Sequence, residues 1–173
     1  MYRAFLLLLA ATIIVLDQLS KWWIVSTISP GGYVYPIPVL APFVGLTHVQ
    51  NTGVAFGLFQ NANTFFAPLS MVVIVVIVRF MRALPADRWL ARLGLTLLLA
   101  GAIGNLIDRL RVGYVIDFVA VGSFARFNVA DSAVSIGVAV LVLAWLLEHR
   151  QESAARAASD PAPGAREHEE THI

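Results

Sequence analysis

Four apolar segments, residues 4–28, 65–80, 89–108 and 131–147, decide what this chain can fold into. A helix of about 20 apolar residues crosses the roughly 30 Å hydrocarbon core of a bilayer. A soluble domain is about 45–50% apolar and about 25% charged; this chain is 58% hydrophobic and 13% charged. The pattern predicts an all-α membrane protein with four transmembrane helices. The second to fourth segments are a little short and need their polar flanks to complete the span, with Arg92 snorkelling to the interface. Pro68 falls in the first turn of the second segment, where proline is tolerated. The first segment imitates a secretory signal, Arg3 preceding an apolar run, but no small-x-small cleavage site follows, so it is read as an uncleaved helix. The chain has no cysteine. That excludes disulfides, cysteine-based zinc sites, thiol nucleophiles and iron–sulfur clusters. No basic cluster calls for a nucleic-acid partner.

The charges sort by position. Six of the eleven acids lie in residues 148–173, an Ala-, Pro- and Gly-containing stretch with no apolar face. Residues 151–173 are therefore expected to be a disordered cytoplasmic tail, leaving residues 1–150 as the membrane domain. The first connection, residues 29–64, carries no Lys, Arg, Asp or Glu, whereas Arg79, Arg82, Arg88 and Arg92 bracket the second. The positive-inside rule then puts both termini in the cytoplasm and the first and third connections outside, although Arg109, Arg111 and Arg126 in the third count against it. Residues 29–64 and 111–130 alternate apolar, small and turn residues around Asn51-Thr52-Gly53 and Asp117, and predict a small extracytoplasmic β platform on the helices. Tyr33, Tyr35, Phe43 and Phe56 would be its aromatics available to lipid.

Before Glu148 the chain's only acids are Asp17, Asp87, Asp108, Asp117 and Asp131. In this topology four of the five gather at the outer interface, with Lys21, Asn51, Asn105, Arg109 and Asn128 at the same level. Ionisable groups at membrane depth are expensive and face a partner or a cavity. Asp117 and Asp131 can meet if a turn folds the stretch between them. Two carboxyls sharing a site hold one proton between them, so one can deprotonate water while the other donates to a carbonyl. That suffices for peptide hydrolysis with no metal and no cofactor. Structural readings stand beside this one. Asp131 can be the N-cap of the fourth helix, and Asp117 a partner for Arg109, Arg111 or Arg126. Asn105, Asp108 and Arg109 share a helical face and can be a local pair. Asp17 and Lys21, four apart in the favourable order, can be an anchoring ion pair. A Ser–His pair would have to use His48, read as a surface loop residue. No H-E-x-x-H motif is present. A proton-coupled transporter would need acids spread across the bilayer; a non-catalytic assembly subunit would tolerate loss of either aspartate.

At five blocks the sequence resembles the bacterial lipoprotein signal peptidases, signal peptidase II. They are Asp17-Gln-Leu-Ser-Lys21-Trp22, Asn51-Thr-Gly53-Val-Ala55-Phe56-Gly57, Gly101-Ala-Ile-Gly104-Asn105-Leu-Ile-Asp108-Arg109, Val115-Ile-Asp117-Phe118 and Phe127-Asn128-Val-Ala130-Asp131-Ser-Ala. The resemblance implies an aspartic endopeptidase of the bacterial inner membrane. It would remove the signal peptide from a diacylglyceryl-modified prolipoprotein, cutting on the N-terminal side of the lipidated cysteine. It implies Asp117 and Asp131 as the catalytic dyad. Asp17, Lys21, Asn51, Gly53, Asn105, Asp108, Arg109 and Asn128 would be substrate-binding or supporting residues. It also implies inhibition by globomycin-type cyclic peptides that occupy the dyad.

Overall fold

A computed structural model describes residues 2–53, 63–122 and 125–159. Along the chain run α1 (Tyr2–Thr27), β1 (Tyr33–Val34), a 3-10 turn (Pro38–Leu40), β2 (Val44–Asn51), α2 (Asn63–Ala83), α3 (Trp89–Arg111), β3 (Val115–Val121), β4 (Ala125–Phe127) and α4 (Val129–Ser159). The all-α expectation holds for the membrane part. Among the described residues, one antiparallel sheet of four strands stands beside it, in the order β1-β2-β3-β4. Phe56 and the motif residues after Gly53 lie outside the described residues.

Each helix contains a stretch long and apolar enough to cross a bilayer: Arg3–Thr27, Asn63–Ala83, Trp89–Arg111 and Val129–Ser153. At about 1.5 Å per residue the shortest reaches roughly 31 Å. Their outward faces carry Leu7, Leu8, Trp22, Phe65, Val75, Trp89 and Trp145, all largely exposed in the isolated chain. So much exposed apolar surface on four helices is a lipid-facing belt, and the protein is a multi-pass membrane protein.

Helix ends differ from the sequence boundaries for local reasons. α2 begins at Asn63, whose side chain donates to the Arg109 carbonyl at 3.3 Å. Pro68 therefore sits inside the helix rather than in its first turn, and cannot supply the N–H that the Thr64 carbonyl would take. Beyond α2, Arg92 donates to the Pro85 and Leu84 carbonyls, closing the connection into α3. α4 runs past Leu147 to Ser159, into the segment expected to be disordered. Its extension is alanine-rich, which favours helix, and Glu148 on it pairs with Arg88 at the start of α3. Residues 160–173 lie outside the described part.

α3 is the central helix, packed against α1, α2 and α4. It meets α4 backbone to backbone. A Cβ on Gly137 would stand 2.8 Å from the Gly94 carbonyl oxygen, and one on Gly101 would overlap the Ala130 carbonyl oxygen and press on Val134. Small residues allow such close approach between membrane helices. Ala130 precedes Asp131, so this contact also fixes the start of α4. Gly101→Ala is expected to lower the melting temperature by about 5 °C or more. An unchanged melting curve would show that the two helices separate without cost.

The sheet covers the end of the bundle where α1 finishes and α4 begins. Ile24 and Ile28 of α1 pack with Ile116 and Phe118 of β3. Strand alternation therefore sends Ile116 and Phe118 to α1 and leaves Asp117 on the opposite face. His48 is a correction to the sequence reading. It lies buried in β2, its Nδ1 donating to the Ile28 carbonyl at 2.9 Å, because the irregular register between Leu46 and Val49 turns it toward the end of α1. Tyr33, Tyr35 and Phe43 are exposed, as expected.

Candidate active site

Asp117 and Asp131 arrive at one polar layer by different routes. β2 pairs with β3 so that Val49 faces Asp117 and Asn51 faces Val115. Asn51 and Asp117 then share a sheet face, and Asn51 Nδ2 donates to Asp117 Oδ2 at 2.9 Å. Asn51 is oriented by its own turn, its Oδ1 accepting from the Gly53 N–H at 3.0 Å.

Asp131 sits in the first turn of α4. The sequence left it as a possible N-cap; the cap is instead Asn128. Asn128 Oδ1 accepts from the Asp131 N–H at 2.8 Å, and the Asn128 N–H donates back to Asp131 Oδ2 at 3.2 Å. This reciprocal pair is a capping box with Asp131 at its third helical position. Asn128 is fully buried, and its Nδ2 reaches Asp117 Oδ1 at 2.9 Å and Asn105 Oδ1 at 3.2 Å. Asn105 Nδ2 in turn donates to Asp131 Oδ1 at 2.7 Å. All four carboxyl oxygens thus receive one N–H each, and Asn128 touches both carboxyls.

Behind this layer Lys21, almost wholly buried, lies 2.8 Å from Asp17 and 2.7 Å from Asp108. The i, i+4 pair of Asp17 and Lys21 forms as its spacing suggested. Asp108 does not form the local pair with Arg109 that the helical face allowed, because Lys21 reaches it from α1. Arg109 instead points to the first connection, donating to the Gly53 carbonyl at 3.4 Å. Arg126 donates to the Tyr33 hydroxyl. The sequence reading passed over Gln18, whose Nε2 serves Asp17, Asp108 and the Gly104 carbonyl. Gly104 lets α1 approach α3 closely: a Cβ there would lie 2.7 Å from Asp17 Oδ2. The available signal was a polar Gln18 inside an apolar helix, one residue from Asp17.

Burial is the main force on Asp117, followed by the nearby Asp131 charge. Together they raise its pKa from 3.8 to about 7, against the hydrogen bonds from Asn51 and Asn128. Asp117 can therefore carry a proton near neutrality. What the site offers chemically is a proton-holding carboxyl, a second carboxyl joined to it through Asn128, and amide donors that fix both.

Residues 9–147 match the family model for signal peptidase (SPase) II. The chain belongs to the signal peptidase II family. Among relatives, the lipoprotein signal peptidase of Moorella thermoacetica is 45% identical over 141 residues, 82% of this chain and 91% of that one. The lipoprotein signal peptidase of Streptococcus pyogenes serotype M6 is 42% identical over 133 residues, 76% and 86% of the two chains. A bacterial membrane enzyme solved by the in meso method at 2.3 Å resolution superposes with a TM-score of 0.78 at 31% identity, covering 84% of this chain and 90% of that one. The part matched to signal peptidase II contains every residue of the polar layer, from Asp17 to Asp131. The α4 extension beyond Leu147 lies outside it.

Proposed function

We propose that this signal peptidase II hydrolyses prolipoproteins with Asp117 and Asp131 as its catalytic dyad, at the outer face of the bacterial inner membrane. The observation that carries this is the hydrogen-bond pattern around the two carboxyls. Each of their oxygens takes one N–H, and Asn128 bridges the two side chains. An oxygen with one donor keeps a lone pair for water or for a shared proton.

In the reaction proposed, Asp117 starts protonated and Asp131 as the carboxylate. Asp131 takes a proton from water as the oxygen attacks the scissile carbonyl carbon. Asp117 gives its proton to the carbonyl oxygen, and the tetrahedral intermediate forms without a covalent bond to the enzyme. Collapse breaks the C–N bond. The proton on Asp131 goes to the leaving amine of the cysteine, and the intermediate's hydroxyl returns its proton to Asp117, so the dyad is restored. Arg109 and Asn51, near Gly53, are placed to hold the substrate backbone. A transporter reading is disfavoured by where the charge lies: Asp17, Asp108 and Asp131 are all at the sheet end of the bundle, and Glu148 at the opposite end is paired with Arg88.

The substrate follows from the surroundings. With both termini in the cytoplasm, the sheet end faces outward. Acyl chains on the cysteine would rest in the bilayer beside the apolar helix faces, placing the scissile bond at the depth of the dyad. Globomycin-type peptides would compete for the same place. Purified protein in liposomes is expected to cut a diacylglyceryl-modified prolipoprotein at least about 100-fold faster than its unmodified precursor, because binding of the remote acyl chains orients the reacting bond. Equal rates would remove the lipid from the recognition, and no cleavage of either would end the proposal.

A further inference from the structure

Lys21 presents three hydrogens to three acceptors: Asp17 Oδ2 at 2.8 Å, Asp108 Oδ2 at 2.7 Å and Asn105 Oδ1 at 3.0 Å. Each acceptor leads on to the dyad. Asp17 Oδ1 accepts the N–H of Ala130 at 2.9 Å, the residue before Asp131. Asp108 Oδ2 accepts the N–H of Ile116 at 3.2 Å, the residue before Asp117. Asn105, its oxygen held by the Lys21 ammonium at 3.0 Å and by the Asn128 amide at 3.2 Å, turns its amide nitrogen to Asp131 Oδ1.

We propose that Lys21 is the positioning residue of the dyad, a single buried ammonium that registers α1, α3, β3 and α4 and supplies the charged donor that orients the Asn105 amide. This rests on reading Asp117 and Asp131 as catalytic. Lys21 acts through Asp17, Asp108 and Asn105 and is not itself a catalytic residue. A buried ion cluster is a poor way to gain stability, since desolvation offsets the attraction, but a good way to specify one arrangement. The shape of the group matters too. An ammonium sends three donors in three directions, whereas a guanidinium is a planar fork suited to one bidentate partner. Arginine is therefore the wrong replacement.

The test removes the hub without stranding charge. In Lys21→Met/Asp17→Asn/Asp108→Asn the two new amide oxygens still accept from Ala130 and Ile116, while the Asn105 oxygen loses its charged donor and keeps only the Asn128 amide at 3.2 Å. The variant, Lys21→Arg, Asp117→Asn and the parent are compared in liposomes for kcat, KM and thermal unfolding. The triple variant is expected to unfold within about 5 °C of the parent, with kcat down about 100-fold or more and KM within about threefold. Lys21→Arg is expected to recover less than about a tenth of the parent's kcat. A folded triple variant with kcat within about fivefold of the parent, beside an inactive Asp117→Asn, overturns the hub and leaves the dyad standing. An active Asp117→Asn overturns the dyad instead. If the triple variant fails to fold, Lys21→Gln and Asn105→Ala decide: non-additive losses in kcat support the coupling and additive losses overturn it.

Discussion

Asp117→Asn and Asp131→Asn are each expected to lower kcat by about 10³-fold or more, while a labelled prolipoprotein still binds with Kd within about threefold of the parent. An asparagine keeps the shape and accepts one of the two hydrogen bonds, so the peptide and its acyl chains meet the same surface. It cannot take or give the proton. Cleavage within about tenfold of the parent in either variant would remove that carboxyl from the mechanism. Asp117→Asn has a second signature. In the native protein Asp117 ionises near pH 7, against an ordinary value of 3.8. Between those values the folded chain binds more protons than the unfolded one, so stability falls as pH rises from about 4 to about 7 and then levels off. The slope amounts to a few kcal/mol over the window, on the order of 1.4 per pH unit at most. Asp117→Asn should flatten it. Melting curves at several pH values would show parent and variant converging if the burial of Asp117 were relieved by water.

The sequence announces the four helices because their composition alone decides that they avoid water; the depth of Asp17, Asp108 and Asp131 then follows from counting along them. The sheet is harder to read. Its strands are short, and β2 carries an irregularity that no alternation of residues reveals, which is why His48 looked like a surface residue and is buried. The partners of the charges were the least visible. Spacing within one helix found Asp17 with Lys21 but could not show that Lys21 crosses to Asp108, because that depends on how closely α1 and α3 approach at Gly104. The cap of α4 is Asn128, three residues before the Asp131 that was one reading of the sequence, for a similar reason. Both Asn128 and Asp131 suit a helix start, and only the backbone decides which comes first.

Asn128 is where capping and the proposed catalysis coincide, and substitutions can separate them. Its oxygen caps α4 through the Asp131 N–H, while its nitrogen serves Asp117. Asn128→Asp keeps a good cap, since aspartate ranks with asparagine at that position. It replaces the nitrogen by an oxygen facing Asp117. Loss of one donor at a buried reacting group costs about 10²–10³-fold in kcat, and a third carboxyl beside the dyad adds to that. Its charge also disfavours ionisation of Asp117, so the basic limb of the pH–rate profile should move up from about 7. Asn128→Ala should show the other half. It loses the cap, about 1 kcal/mol of stability, and strands the Asp131 N–H; it also removes a donor that holds the Asp117 pKa down, but adds no charge, so its basic limb should move up by less than that of Asn128→Asp. A pH–rate series on both variants reads the two effects apart. If Asn128→Asp retains kcat within about fivefold of the parent, the bridge between the carboxyls is only a helix cap, and the amide donors around the dyad do not set its proton.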